Sequence, residues 1–365
     1  MEMKRNVLRT AAATVAAVLF LSCSASAAPA LSARKAILMD ADSGRVLYEK
    51  NADERSLIAS TTKIMTALLV CEQCNLADRV QIPREAVGIE GSSLYLREGE
   101  ILSVQDLLYG LMLHSGNDAA TALSIYCGGS EAAFVDMMNE KAERLELSET
   151  HFGNPHGLDH DGNYSTARDL AKLAAYAMEN EDFYRTVSCK TVTVGNRSLQ
   201  NHNKLLFRYE GAVGVKTGYT KAAGRILVSA AERDGRRLIA VTIHAPDDWN
   251  DHTALLDYGF SFYQPVCLAE KGSVLGFVPV TGGEKDTAAV YAEEDFVFPM
   301  AEQETYSVEL QLPPFVYAPV ERDSEAGTAV ICVEGKAVGS VPLRFEETIE
   351  SRERKRMFPF RLTGG

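Results

Sequence analysis

A serine and a lysine three residues apart, Ser60 and Lys63, constrain this chain most, because a strongly apolar segment follows them. Apolar residues recur at three- and four-residue spacing as far as Val70, which predicts a buried helix over residues 61–70. Serine is favoured at a helix N-terminus, where its oxygen can accept hydrogen bonds from free N–H groups, so the pattern predicts Ser60 at the cap position. Lys63 then lies one turn further along, where its ammonium group can reach back over Ser60.

This serine–lysine pair predicts nucleophilic catalysis. A serine hydroxyl is a weak nucleophile until a base accepts its proton, and a lysine that apolar neighbours desolvate can serve as that base. A helix cap followed by a surface lysine is the alternative, and the spacing alone leaves it open. The same spacing occurs at Ser32 and Lys35, in a segment without helical periodicity.

Two further motifs favour catalysis. Ser115-Gly116-Asn117 is the only S/T-x-N sequence in the chain, and Lys216-Thr217-Gly218 is the only K-T-G. Helical periodicity predicts helices over Val104–Leu113, Asp118–Tyr126 and Glu131–Leu147. Ser115 therefore falls in a junction between helices, where a loop can present side chains to a cleft. Lys216 falls near the end of an alternating segment, residues 213–218, that predicts a strand.

The remaining pattern predicts an α+β fold, with an antiparallel sheet flanked by helices and an inserted helical lobe. Strand–turn–strand patterns occupy residues 36–48 and 226–243, and the helical segments lie between them. A last helix is predicted around Thr253–Phe262. Beyond about Pro265, short strand-like runs separated by Gly, Pro and charged turns predict a small all-β domain.

We therefore expect four segments in the 365 residues: a signal peptide (1–27), a catalytic domain (28–265), a β-rich C-terminal domain (270–350) and a basic, aromatic tail (351–365). The first segment carries basic residues, an apolar run and an A-x-A cleavage site that ends at Ala27. A lipid-modified Cys23 is the alternative there. The tail has a composition suited to an anionic lipid surface, although Pro359 would interrupt a helix. Peripheral membrane contact and a solvated polar tail both remain open.

Composition and charge argue against several other classes of protein. The formal net charge is −13, which gives no reason to expect nucleic acid as a partner. Cys71 and Cys74 form a C-x-x-C sequence, but no second pair or nearby histidine completes a zinc site. Asp247, Asp248 and Asp251 are expected in a solvated loop rather than in a metal site. We therefore expect no metal and no cofactor.

The three motifs resemble those of the serine D-alanyl-D-alanine carboxypeptidases, the low-molecular-weight penicillin-binding proteins. Other stretches that match this family are Leu107–Leu111, Asn117–Ala120, Asn154–Leu158, Tyr164–Asp169 and Pro246–Trp249. The resemblance extends over residues 30 to 265, and the β-rich remainder resembles the C-terminal domain of the same enzymes with weaker motifs. It implies a β-lactamase/transpeptidase-like catalytic fold.

The resemblance also implies a role for each residue of the first two motifs. Ser60 would attack the carbonyl carbon of the penultimate D-alanine, and Lys63 would be the base for acylation. Ser115 would relay a proton to the leaving amine, while Asn117 would hold Lys63 and the substrate amide. His156, in the Asn154–Leu158 stretch, is expected to be structural rather than a general base.

The third motif would bind the substrate. Lys216 would keep the site electropositive and attract the terminal carboxylate, to which Thr217 would offer a hydroxyl. Gly218 would leave room for the substrate backbone beside the strand. The backbone N–H groups of Ser60 and Tyr219 would form the oxyanion hole.

The implied function is that of an exported carboxypeptidase, acting in the cell wall or at the outer face of the cytoplasmic membrane. Its partners would be peptidoglycan stem peptides that end in D-Ala-D-Ala, with β-lactams as covalent inhibitors. The alternatives are a D,D-transpeptidase or endopeptidase on the same peptides, and a catalytically weak penicillin-binding scaffold. A β-lactamase with these motifs would carry a glutamate in an E-x-x-L-N loop. No such sequence occurs here, so we expect slow hydrolysis of a penicilloyl-enzyme.

Overall fold

The computed structural model describes residues 28–352, and over this range the chain divides into two compact units between Phe262 and Tyr263. The signal-peptide interpretation, and the tail interpretation beyond residue 352, lie outside the described residues. In the described part of the chain, no helix combines the length and apolar character that crossing a membrane requires.

The first unit combines helices with an antiparallel sheet. Its helices are α1 (Lys63–Gln73), α2 (Val104–Leu113), α3 (Asn117–Gly128), α4 (Glu131–Arg144), α5 (Ala167–Met178), α6 (Glu181–Ser188), α7 (Leu205–Arg208) and α8 (Asp248–Phe262). Its strands are β1 (Lys35–Asp40), β2 (Val46–Lys50), β3 (Ser56–Leu57), β4 (Arg79–Gln81), β5 (Ile101–Ser103), β6 (Tyr164–Ser165), β7 (Thr191–Val194), β8 (Arg197–Gln200), β9 (Ala212–Thr220), β10 (Gly224–Arg233) and β11 (Arg236–Ile243).

The main sheet has the strand order β2-β1-β11-β10-β9, which leaves β9 at one edge. The inner strands β10 and β11 are buried along most of their length, because α5 and α8 pack against them. One polar side chain fixes α8 on the sheet: the Nδ1 atom of His252 lies 2.6 Å from Ser229 Oγ, and its Nε2 atom lies 2.9 Å from Thr242 Oγ1. The edge strand β9 therefore pairs with β10, a strand whose side chains are mostly buried in the core.

Helix α1 runs through the middle of the unit. Every residue from Lys63 to Val70 is buried, and the helix packs against α2, α3, α5 and α6. A helix that is apolar nearly all round is stable only in such surroundings. A 3₁₀ turn, Ala59–Thr62, precedes the helix and packs against β9. The packing of α1 thus brings the start of the helix to the edge of the sheet.

The second unit is built from β-strands. They are β12 (Tyr263–Ala269), β13 (Val274–Thr281), β14 (Thr287–Ala292), β15 (Phe296–Ala301), β16 (Tyr306–Gln311), β17 (Val316–Tyr317), β18 (Glu325–Val333) and β19 (Lys336–Phe345). Six of them form a sheet in the order β16-β18-β19-β14-β13-β17, and β12 pairs with β15. Two apolar clusters, one around Val290 and one around Ile331, fill the unit.

Some predicted element bounds differ from those observed. Helix α8 begins at Asp248, five residues before the predicted start, and acidic residues in its first turn suit the positive end of a helix dipole. Strand β12 occupies the stretch where the sequence analysis placed the domain boundary. Residues 263–267, which include Pro265, are all exposed or half-exposed, so the strand has no alternating pattern that periodicity could detect.

Candidate active site

The nucleophile turn, residues 59–62, does not use Ser60 as a helix cap. Residue Ser60 lies inside the 3₁₀ turn, α1 begins only at Lys63, and neither element has a side-chain cap. The N-cap prediction was therefore wrong. The turn is held instead by Thr61, whose backbone N–H and side-chain hydroxyl both donate to Ile58 O, at 3.1 and 2.5 Å. This leaves the Ser60 hydroxyl available to the cleft, and Lys63 Nζ donates to it at 3.1 Å.

The Lys63 ammonium is fully buried and lies among three oxygen acceptors. Besides Ser60 Oγ, its Nζ atom donates to Asn117 Oδ1 at 2.7 Å and to the backbone oxygen of His156 at 2.5 Å. Burial lowers the pKa of Lys63 well below its ordinary value, and the neighbouring Lys216 lowers it further. The lower pKa makes the neutral amine easier to form than for an exposed lysine, and the nitrogen of that amine can accept the proton of the serine.

The second motif lies beside this lysine. Asn117 is held on three sides: its Oδ1 accepts from Lys63, its Nδ2 donates to Glu90 O at 2.6 Å, and its backbone N–H donates to Ser92 O at 2.7 Å. Ser115 lies in the left-handed region with φ +65°, and only 5% of its surface is exposed. This conformation is rare for a residue other than glycine and marks a position that the surrounding structure imposes.

Asp118, which follows the second motif, holds the loop of residues 93–96. Its carboxylate accepts from the hydroxyl of Ser93 at 2.7 Å and from the backbone N–H groups of Leu94 and Leu96, at 3.0 and 3.1 Å. These bonds fix the loop that carries Tyr95, whose side chain is exposed. The sequence reasoning assigned no function to this carboxylate, which acts by shaping the loop.

Residues 154–158 form a loop, here called the support loop, that contacts Lys63. Sequence reasoning matched this stretch to the family but did not predict the contact. The loop is held by Asn154, whose Oδ1 accepts from Gly157 N at 2.7 Å, and by Thr66, whose hydroxyl donates to Pro155 O at 2.6 Å. Gly157 has φ +86°, and a Cβ atom there would lie 1.9 Å from Ala59 O. Only glycine fits this close approach between the loop and the nucleophile turn.

His156 acts in this loop through its backbone. Its carbonyl accepts from Lys63, whereas its Nδ1 accepts from Leu158 N at 3.2 Å. Burial, together with the nearby Lys63 charge, lowers the pKa of the imidazole to about 4. The ring is therefore neutral at neutral pH.

The third motif lies on the edge strand β9. Lys216 is buried, its Nζ donates to Thr217 O at 3.0 Å, and burial lowers its pKa to about 7. Thr217 and Tyr219 line the cleft, and Tyr219 is exposed. A Cβ atom on Gly218 would lie 3.2 Å from Ile58 O and 3.3 Å from Thr61 N, so this glycine also allows the close approach of the nucleophile turn to β9.

The motif residues meet at an open cleft of about 330 Å³. Its lining includes Ser60, Ser115 and Thr217 from the three motifs. It also includes five residues that sequence reasoning did not assign to the site: His202, Lys204, Arg225, Asp248 and Trp249. Most of this lining comes from loops and strand ends that are distant in sequence. No spacing pattern could therefore have predicted it.

Asp248 and Asp251 are buried, so the prediction of a solvated loop was wrong for both. Asp248 binds Arg225 in a bidentate pair, with Nη2 2.8 Å from Oδ1 and Nε 3.1 Å from Oδ2. Asp251 accepts from the hydroxyl and backbone N–H of Ser32, both at 2.8 Å, which gives the second S-x-x-K serine a structural partner. Within residues 28–352, no group of three or more His, Cys, Asp or Glu side chains is arranged to hold a metal ion.

The comparisons with known proteins agree with this geometry. The model of the D-alanyl-D-alanine carboxypeptidase family matches residues 22–247, and the model of the penicillin-binding protein 5 C-terminal domain matches residues 263–351. The chain belongs to the D-alanyl-D-alanine carboxypeptidase family. It is a peptidase of the low-molecular-weight penicillin-binding class, as the motifs predicted.

Individual relatives cover most of the chain. The D-alanyl-D-alanine carboxypeptidase DacF of Bacillus subtilis (strain 168) is 33% identical over 87% of this chain and 86% of its own length. Penicillin-binding protein 5 from Haemophilus influenzae aligns with a TM-score of 0.76 and 29% identity, over 88% of this chain and 99% of that one. A mutant of the Streptomyces K15 DD-transpeptidase aligns with a TM-score of 0.61 and 37% identity, over 64% and 99%. The predicted α+β catalytic fold followed by an all-β domain is confirmed.

Proposed function

We propose that this protein removes the terminal D-alanine from peptidoglycan stem peptides that end in D-Ala-D-Ala, through an acyl-enzyme on Ser60. The observation that carries the proposal is the Lys63 amine. It is fully buried, its pKa is depressed, and it lies 3.1 Å from a serine hydroxyl at the edge of an open cleft. An apolar side chain in this position would stabilise the fold better than a buried lysine does, so we attribute the lysine to catalysis rather than to stability.

In the acylation step, Ser60 Oγ bonds to the carbonyl carbon of the penultimate D-alanine while its proton passes to Lys63 Nζ. The backbone N–H groups of Ser60 and Tyr219 stabilise the oxyanion. The proton then moves from Lys63 through the Ser115 hydroxyl to the leaving nitrogen, and D-alanine departs. Asn117 keeps the lysine in place, because its Oδ1 accepts from Nζ. Water then hydrolyses the ester and regenerates the serine.

The substrate backbone would lie along β9. This strand is at the edge of its sheet, and an extended peptide can add to such an edge through main-chain hydrogen bonds. Lys216 and Thr217 would receive the terminal carboxylate. Arg225 lies in the same cleft, but Asp248 already binds its guanidinium in a bidentate pair, so we assign it to the rigid wall of the cleft.

We also propose that β-lactams acylate Ser60 and that the adduct is long-lived. The chain has no E-x-x-L-N sequence whose glutamate would activate the deacylating water, and the corresponding region carries the support loop instead. Its polar groups are engaged within the fold, since Asn154 binds Gly157 and Leu158 and the His156 carbonyl binds Lys63.

We propose that the protein acts outside the cytoplasm, where stem peptides are exposed, and that the N-terminal segment directs its export. We also propose that the basic tail attaches weakly to anionic lipid. Co-sedimentation with anionic vesicles, with and without residues 353–365, tests the attachment. Identical pelleting of both forms at low salt would contradict it.

The central experiment measures D-alanine release from diacetyl-L-Lys-D-Ala-D-Ala. We expect turnover by the wild-type chain, none above background by Ser60→Ala, and nearly normal turnover by Ser32→Ala, the matched control at the other S-x-x-K serine. Ser32 bonds Asp251 rather than a lysine, so its loss should not affect the cleft chemistry. Undiminished release by Ser60→Ala would contradict the proposal.

Transpeptidation is the second candidate, because a structural relative carries the name DD-transpeptidase. Both reactions share the acyl-enzyme and differ only in whether water or an amine accepts the acyl group. Adding a D-amino acid to the assay separates them: a carboxypeptidase yields mainly the shortened peptide, whereas a transpeptidase yields mainly the exchanged one.

A further inference from the structure

Three cysteines lie together at one end of the first unit, away from the motifs. Cys71 is in the last turn of α1, Cys74 follows that helix directly, and Cys127 is in the last turn of α3. The two helices pack against each other, and all three side chains are partly buried free thiols against the main core. The catalytic proposal uses none of them.

Neighbouring contacts bring Cys74 and Cys127 together. Tyr126 precedes Cys127, and its hydroxyl donates to Asp78 Oδ2 at 2.8 Å, four residues after Cys74. The interaction between the two thiols lowers the pKa of Cys127 and raises that of Cys74. One member of the pair therefore loses its proton more easily than an isolated thiol does.

The third thiol is chemically different. Burial raises the pKa of Cys71 to about 12, and the nearby carboxylates of Asp182 and Glu72 raise it further. Of the three thiols, Cys127 has the lowered pKa and is therefore the expected nucleophile. Since its helix packs against α1 and the Tyr126–Asp78 bond joins the chain next to Cys127 with the chain after Cys74, the contacts favour a pair between the helices over one within the C-x-x-C sequence.

We propose that Cys74 and Cys127 form a redox-responsive dithiol, which a low-molecular-weight disulfide oxidises to a disulfide bond joining α1 to α3. The Cys127 thiolate attacks one sulfur of the reagent, forms a mixed disulfide and releases one thiolate. Cys74 then gives up its proton and attacks the Cys127 sulfur, which forms the intramolecular bond and releases the second thiol. Two protein thiols are oxidised, and the reagent is reduced to two thiols that carry their protons.

The bond would act on the helices that form the active site. Helix α1 begins with Lys63 and α3 begins with Asn117, and these side chains contact each other at the opposite ends of the two helices. The disulfide would close a loop of about 50 residues, a length at which cross-linking removes much of the freedom of the unfolded chain. We expect it to raise the midpoint of thermal unfolding by about 5–10 °C.

The test treats the full-length chain with oxidised glutathione, alkylates the remaining thiols and maps the peptides by mass. We expect a Cys74–Cys127 cross-link and the higher midpoint in the wild type and in the matched control Cys71→Ser. Cys74→Ser should stop at a glutathione adduct on Cys127 and show no rise in midpoint. A Cys71–Cys74 cross-link, alkylation of both Cys74 and Cys127 after oxidation, or an equal rise in Cys74→Ser would each overturn the proposal.

Discussion

The interior of the first unit holds charged and polar groups, among them Lys63, Asn117 and Lys216, whereas the interior of the second unit is apolar throughout the part that the structure describes. Burying an unpaired ammonium group costs several kcal/mol, unless the group loses its proton or finds partners. Two buried lysines, of which Lys216 lowers the pKa of Lys63, are therefore not explained by stability. The difference teaches that buried lysines without a carboxylate partner, Lys63 and Lys216 among the described residues, mark the chemistry of this chain, whereas the second unit has a packed apolar interior.

Removing the base should have the largest effect. We expect Lys63→Ala to slow acylation by about 10²–10⁴-fold, because general-base catalysis supplies a factor of this size. The measurement is the rate at which a labelled penicillin reacts with the folded protein.

Lys141→Met is the matched control: this lysine is also buried, but it pairs with Glu72 at 2.7 Å, remote from the motifs. It should lower stability and leave the acylation rate of the folded protein unchanged. Equal losses of acylation rate in both variants would contradict the assignment of Lys63 as the base.

A glycine substitution tests the contact between the support loop and the nucleophile turn. Gly157→Ala should slow acylation by about 10²-fold, since a displacement of about 1 Å at a catalytic group has an effect of that order. The added Cβ atom would lie 1.9 Å from Ala59 O. Gly272→Ala in the second unit is the control, because its φ of +80° imposes similar backbone strain but no atom lies within 4 Å of the new Cβ. This control should lower the free energy of unfolding by about 1–2 kcal/mol and leave the acylation rate unchanged. Comparable acylation rates in the two variants would contradict the role of the close approach.

Lys216 should distinguish substrates by their C-terminus. Lys216→Ala is expected to lower kcat/KM about 10-fold or more for a peptide with a free carboxylate, and less for the matching amide. In the wild type, the preference for the carboxylate should weaken as the pH rises through about 7, because the lysine is charged below its pKa and neutral above it. Parallel pH profiles for the two substrates would show that Lys216 does not bind the terminal carboxylate.

A core substitution in the second unit should affect chemistry least. Ile331 is fully buried in one of its apolar clusters, and Ile331→Ala should destabilise that unit by about 2–4 kcal/mol. Acylation of Ser60 at temperatures where the chain stays folded should match the wild type. A loss of acylation comparable with that of Gly157→Ala would mean that the second unit also supports the site.

The sequence predicted well what side-chain types and periodicity encode. The helix over Val104–Leu113 has the predicted bounds, and the three motifs meet at one cleft as their family resemblance implied. It could not predict groups that act through the backbone. The His156 and Glu90 carbonyls position Lys63 and Asn117, yet any residue type supplies a carbonyl. Gly157 was the one available signal, since a glycine in a structured loop often marks a close approach.

The most direct test of the central claim is to locate the covalent adduct of a labelled penicillin by peptide mass. The account predicts one long-lived adduct, on the peptide that contains Ser60, and no adduct in Ser60→Ala at an unchanged thermal midpoint. The Lys63–Ser60 contact of 3.1 Å is what makes this serine, rather than Ser32 or Ser115, the expected nucleophile. An adduct on either of those serines, or labelling that persists in Ser60→Ala, would contradict it.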